Sequence, residues 1–91
     1  MNKIFEIIIN KKAKKDLKIL KSTPFFETII KHLYSMSINP FEGDVKKLES
    51  FNICDYRMRI GNYRILFDID LNHKEIIIHR IVHRKDAYKN I

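Results

Sequence analysis

Cysteine, tryptophan, glycine and proline are scarce in this chain, and each scarcity narrows what it can be. The only cysteine is Cys54. An intrachain disulfide and a four-cysteine zinc site are therefore excluded. Cys54 lies in the apolar run Ile53-Cys-Asp-Tyr56, which predicts a buried, inert thiol. The two glycines, Gly43 and Gly61, stand too far apart for a phosphate-cradling glycine loop. The single His-x-x-x-His spacing, His79 to His83, falls on a segment that reads as a strand, where positions four apart lie about 13 Å from each other, so the pattern offers no metal site. No apolar run is long enough for a membrane helix. The opening segment, from Met1 to Asn10, has Glu6 inside its apolar stretch and no small-residue cleavage site. It reads as a strand and not a signal peptide, which makes the cytoplasm the expected location.

What the chain does carry is positive charge. Eighteen Lys and Arg against eleven Asp and Glu give +7. That balance suits an anionic partner such as nucleic acid, although basicity alone is common among small domains. The 91 residues, 45% of them hydrophobic, are enough for one core, so residues 1–91 read as one domain.

The elements follow from periodicity. Lys3 to Ile9 predicts a strand rich in β-branched residues. Asn10 is placed to cap a helix over Lys11–Lys21, with Ala13, Leu17 and Leu20 as its apolar stripe. Lys11, Lys12, Lys14, Lys15, Lys18 and Lys21 cover the rest of that helix. They read as a solvated face or as a surface contacting phosphates; Lys11, Lys14, Lys15 and Lys18 are the candidate RNA contacts. Thr23-Pro24 predicts the start of a second helix. Phe26, Ile29, Ile30, Leu33 and Met36 would be its buried stripe, and Pro40 ends it. Residues Asn39–Asn52 read as a loop anchored by Leu48 and Phe51. Strands follow near Ile53–Ile60, Tyr63–Asp70 and Glu75–Val82, then a polar tail, His83–Ile91. The expected fold is α+β: two N-terminal helices packed on an antiparallel-rich, twisted sheet of about four strands, in the order β-α-α-β-β-β.

The most informative segment is Tyr56-Arg-Met-Arg-Ile-Gly-Asn-Tyr-Arg-Ile-Leu-Phe67. Gly61-Asn62 is a favoured two-residue hairpin turn. It would pair Ile60 with Tyr63, Arg59 with Arg64 and Arg57 with Leu66. Paired residues share a face, and faces alternate along a strand. Arg57, Arg59 and Arg64 then point one way. Tyr56, Met58, Ile60, Tyr63, Ile65 and Phe67 point the other way, into the core. Like charges paired across strands repel. Such a cluster is best tolerated where an anion sits, and for a basic chain the natural anion is a nucleic-acid backbone. Asp68 and Asp70 share one strand face and would pair with nearby arginines or bind an ion. His32 and His73 read as surface residues, and His79 as a strand residue that packs or faces solvent.

With the second segment, His79-Arg-Ile-Val-His-Arg-Lys-Asp-Ala-Tyr88, the chain resembles the RelE/ParE toxin superfamily, and within it the RelE-type mRNA endoribonucleases of toxin–antitoxin pairs. The resemblance implies a metal-independent, cofactor-free enzyme that cuts mRNA in the ribosomal A site by attack of a 2′-hydroxyl on the adjacent phosphorus. It assigns the catalytic pattern to Arg57, Arg59, Arg64, Arg84 and Tyr88. One departure stands out: where this chain has Arg57 and Arg59, the RelE pattern has lysines, one of them the general base. Arginine gives up its proton only above pH ~12. Either Arg59 only holds phosphate, or another group takes the proton, with His83 and Tyr88 as the substitutes considered. His83 has the more suitable intrinsic pKa, near ~6.5. The resemblance further implies an acidic antitoxin, a toxin–antitoxin hetero-oligomer, and the ribosome and mRNA as partners, with no membrane. A ParE-like inhibitor of DNA gyrase and an inactive binding module are the alternatives.

Overall fold

The computed structural model describes residues 4–49 and 51–87. Its elements are β1 (Glu6–Ile9), α1 (Lys11–Leu20), α2 (Phe26–Ile38), β2 (Asp44–Lys47), β3 (Tyr56–Ile60), β4 (Tyr63–Asp70) and β5 (Glu75–His83). They build two helices on a five-stranded mixed sheet of order β1-β5-β4-β3-β2. β1 runs parallel to β5, and every other pairing is antiparallel. Among the described residues, no helix is long and apolar enough to cross a membrane.

The fifth strand corrects the expected count of about four. β2 lies inside the stretch read as a loop. It has a single apolar residue, Val45, so it carries no alternation to detect. Its partner makes it a strand: Val45 sits opposite Met58 and Lys46 opposite Arg57. Short and charged, β2 also suits a sheet edge, where charge discourages pairing with foreign chains.

The central hairpin forms in the expected register, with Ile60 opposite Tyr63, Arg59 opposite Arg64 and Arg57 opposite Leu66. Gly61 takes φ +56°, a left-handed value that favours glycine. Met58, Ile65 and Phe67 are fully buried on the helix side of the sheet. Tyr56, Ile60 and Tyr63 pack against that same cluster.

Asn10 caps α1 as expected, its Oδ1 accepting from the Ala13 amide at 3.0 Å. The helix ends one residue short of the expected Lys21. Thr23 does not open α2. Its hydroxyl donates to the Leu20 carbonyl at 2.7 Å, finishing α1, and accepts from the Phe25 amide at 3.3 Å in the turn that leads into α2. α2 starts later, at Phe26, with no side-chain cap. Ile29, Leu33 and Met36 are buried as expected, but Ile30 is 40% exposed, on the flank of the stripe.

Two features join β5 to its neighbours. A register shift at Leu66/Phe67 pairs Leu66 with Arg80 and Phe67 with Ile78, so His79 is the extra residue of a bulge. That shift lets both Ile78 and Ile81 reach the main core. Asp16 of α1 takes a two-pronged contact from Arg80, at 2.8 and 3.0 Å, and also accepts from the Ile81 amide at 2.9 Å.

A second apolar cluster covers the opposite face of the sheet: Cys54, Leu66, Val82 and Ala87, with Leu48, Phe51 and Ile53 packed on it. Leu48 and Phe51 are thus anchors, as expected. The expected tail is partly structured. β5 runs through His83, and a turn closed by Asp86 and Ala87 amides on the His83 carbonyl tucks Ala87 into this cluster. Burial pushes the Cys54 thiol up to about 11, so it stays protonated.

Candidate functional site

Strand alternation carries the arginines to the face of the sheet away from the helices. Two cross-strand rungs build the site. One holds Lys46, Arg57 and Leu66; the other holds Asp44, Arg59, Arg64 and Val82. Lys46, Arg57, Arg59 and Arg64 line an open cavity of about 480 Å³, together with Leu48, Glu49 and Phe51. Arg57, Arg59 and Arg64 are therefore brought together as the hairpin register requires.

The three guanidiniums are held differently. Arg57 is only 15% exposed and donates through Nη1 to the Asp44 carbonyl at 2.9 Å and to its carboxylate at 3.1 Å. Arg59 is 57% exposed and meets the other carboxylate oxygen of Asp44 through Nε at 2.6 Å. Arg64 curls toward the hairpin turn, its Nη1 donating to the carbonyls of Gly61 and Tyr63, both at 3.0 Å. Asp44 thus bridges two of the arginines. The hydrogen bond from Arg57, reinforced by the charge of Arg59, holds its carboxyl below the usual carboxylate range. Repulsion among the like charges of the face is relieved on one side by this carboxylate.

Arg84 follows directly on β5, and its amide donates to the Asn62 carbonyl at 2.7 Å. That bond holds Arg84 beside the hairpin turn, and its side chain is exposed. His83 goes elsewhere. It pairs with Tyr63, and the two rings meet edge to face at 5.5 Å. Paired residues share a face, so His83 lies with Tyr63 on the helix side, away from the arginines. Its Nδ1 accepts from the Lys85 amide at 3.2 Å. Tyr88 lies outside the described residues. The lysines of α1, Lys11, Lys14, Lys15 and Lys18, are exposed, but α1 packs on β5 in the helix layer. They form a separate basic surface across the sheet from the arginines.

Asp68 and Asp70 do not meet arginines. Asp68 accepts from the Asp55 amide and pairs with His79 at 2.9 Å, while the other His79 nitrogen contacts the Asn10 side chain at 3.2 Å. Asp70 pairs with His73. The sequence did not single out Lys46 or Glu49 as site residues, and it placed Phe51 only as an anchor. An apolar run around Val45 would have revealed β2, but Asp44-Val-Lys-Lys47 contains none.

A sequence model of the ParE toxin of the type II toxin–antitoxin system parDE matches residues 7–88. The chain belongs to the RelE/ParE toxin superfamily. It is 34% identical over 88 residues to the protein named RelE1 of Methanocaldococcus jannaschii, covering 94% of this chain and 97% of that protein. A shorter match, to toxin RelE3 of the same organism, is 43% identical over 54 residues and spans 59% of this chain and 58% of that protein. Among solved structures, the archaeal RelE–RelB complex of Pyrococcus horikoshii OT3 superposes with a TM-score of 0.74 at 26% identity, covering 92% of this chain and 99% of that one.

Proposed function

We propose that this toxin-family chain is a ribosome-dependent endoribonuclease that cleaves mRNA in the A site and so stops translation. The observation that carries the reading is the cavity with Lys46, Arg57, Arg59 and Arg64 on its walls. Arginine stays charged, and its fork matches phosphate oxygens. In the reaction, the 2′-oxygen forms a bond to the adjacent phosphorus, and the bond from phosphorus to the 5′-oxygen breaks. The products are a 2′,3′-cyclic phosphate and a 5′-hydroxyl. The 2′-hydroxyl proton must go to a base, and the 5′-oxygen must gain a proton. Arg57 and Arg64 neutralise the charge that builds on the phosphorane-like transition state. Arg59 holds phosphate and moves no proton. Glu49 is the carboxylate on the cavity wall, and it is the group there suited to take the 2′-hydroxyl proton. Arg84, beside the hairpin turn, faces the leaving oxygen as the family pattern implies. Tyr88 orients the 2′-hydroxyl or stacks on a base by the same pattern.

An antitoxin partner goes with this reading. The RelE of Pyrococcus horikoshii was solved together with RelB. A chain with a net charge of +7 calls for a partner that is more acidic than itself. The basic face of α1 is a second electrostatic surface, suited to ribosomal RNA.

A second reading follows from the ParE-named sequence model that matches residues 7–88: a gyrase inhibitor acting by protein contact. The test is primer extension along a defined mRNA in a cell-free translation system, with and without ribosomes. Discrete cuts that need ribosomes support the nuclease. Intact mRNA together with loss of DNA supercoiling supports the gyrase reading.

A further inference from the structure

Beside the carboxylate of Glu49, the cavity has two kinds of wall. One is the cationic rung face already described. The other is apolar, made by Leu48 and Phe51. A site for phosphate alone has no use for an apolar wall. A site for a nucleotide does, because the base beside each phosphate is flat and poorly solvated on its faces. Phe51 is also well braced. It is half-buried, packed on the cluster of Cys54, Leu66, Val82 and Ala87. Leu66 of that cluster pairs directly with Arg57, so the apolar support and the phosphate-binding arginine share one rung of the sheet. The two ends of the loop are tied to each other, the Leu48 amide donating to the Asp55 carbonyl at 2.7 Å, and the Asp55 amide in turn donates to Asp68 of β4. At about 480 Å³ the cavity falls in the range that encloses a small organic ligand, roughly 300–1,000 Å³.

We propose that Phe51, flanked by Leu48, is a stacking platform for a nucleobase of the RNA whose phosphate lies on the arginine face. The inference rests on the nuclease reading for the identity of the RNA, and it adds a substrate contact from the loop before β3. Stacking is tolerant of base identity, because every base has a π face. The platform therefore holds the strand in place and leaves the choice of codon to other groups.

The chain contains no tryptophan, so Phe51→Trp installs a single fluorescent reporter at the platform. Its emission is followed during titration with adenosine 3′,5′-bisphosphate and, separately, with ribose 5-phosphate. Quenching by the nucleotide and none by the sugar phosphate is the expected result. Equal quenching by both, or by neither at millimolar concentration, overturns the platform. Phe51→Leu keeps the apolar packing and removes the π face. It is expected to slow single-turnover cleavage on programmed ribosomes about ten- to hundredfold, with an unchanged melting temperature. Full-rate cleavage by a folded Phe51→Leu variant also overturns it. Base-dependent quenching in a chain whose wild type cuts no mRNA would keep the platform and sink the nuclease. Cleavage by the wild type without base-dependent quenching would do the reverse.

Discussion

Replacing Asp16 by alanine is expected to loosen the seat of α1 on the sheet, and the size of the effect follows from three contacts. Asp16 is the only acidic residue in α1, and its side chain is 11% exposed. It accepts from Nε and Nη2 of Arg80 and from the Ile81 amide. The Arg80 guanidinium is 20% exposed, and Asp16 holds it protonated more firmly than usual. Removing the carboxylate strands a guanidinium and a backbone amide between helix and sheet. Breaking a fully buried pair costs ~3–5 kcal/mol. Arg80 keeps some access to water, so a loss of about 2–3 kcal/mol is the better figure. In a chain of this size each kcal/mol lowers the melting temperature by roughly 4–8 °C, which predicts a fall of about 10–20 °C. Thermal unfolding followed by far-UV circular dichroism measures it. The double variant Asp16→Ala with Arg80→Met should regain part of the loss, because no unpaired charge is left behind. A fall of less than about 3 °C in Asp16→Ala would refute the reasoning.

Three further outcomes follow from the same structure. Asp44 should titrate below 3.8 by NMR, and Arg57→Gln should move it back up. A carboxylate with a depressed folded pKa lends its stability above the unfolded value and loses it as pH falls through the folded one. The Asp44 contribution should therefore disappear only in acid below about pH 4; a midpoint at the ordinary value would contradict the bridge to Arg57. Cys54, raised to about 11, should resist iodoacetamide at pH 8 in the folded protein and react once guanidinium unfolds it. Fast labelling of the native state would be inconsistent with its burial. Lys14→Glu with Lys18→Glu should weaken co-sedimentation with ribosomes, with a shallower dependence on salt than the wild type. Unchanged co-sedimentation would remove α1 from the docking surface.

The parts of the fold that were legible share a local cause. Gly61-Asn62 sits between two runs of strict alternation, so the turn fixed the register, and the register fixed which way Arg57, Arg59 and Arg64 point. Asn10 was legible because a cap acts within one helical turn. The missed parts depend on partners far away in the chain. Asp44–Lys47 becomes a strand through β3, and without β2 neither Lys46 nor Asp44 could be placed beside the arginines. Asp16 and Arg80 are 64 residues apart, and nothing local ties them. The bulge at His79 answers to packing of Ile78 and Ile81. Thr23-Pro24 gave a sound helix-start signal that the end of α1 took over. His83 follows from the same alternation that placed the arginines: pairing with Tyr63 sends it to the opposite face.

The central claim is that the arginine face handles the scissile phosphate. Single-turnover cleavage of mRNA on programmed ribosomes tests it most directly, comparing wild type with Arg57→Gln and Arg64→Gln, each checked for an unchanged melting temperature. Loss of one group that stabilises transition-state charge slows such a reaction by ~10²–10³-fold, and that is the predicted result for each variant. A folded variant that cuts at the wild-type rate would contradict the account.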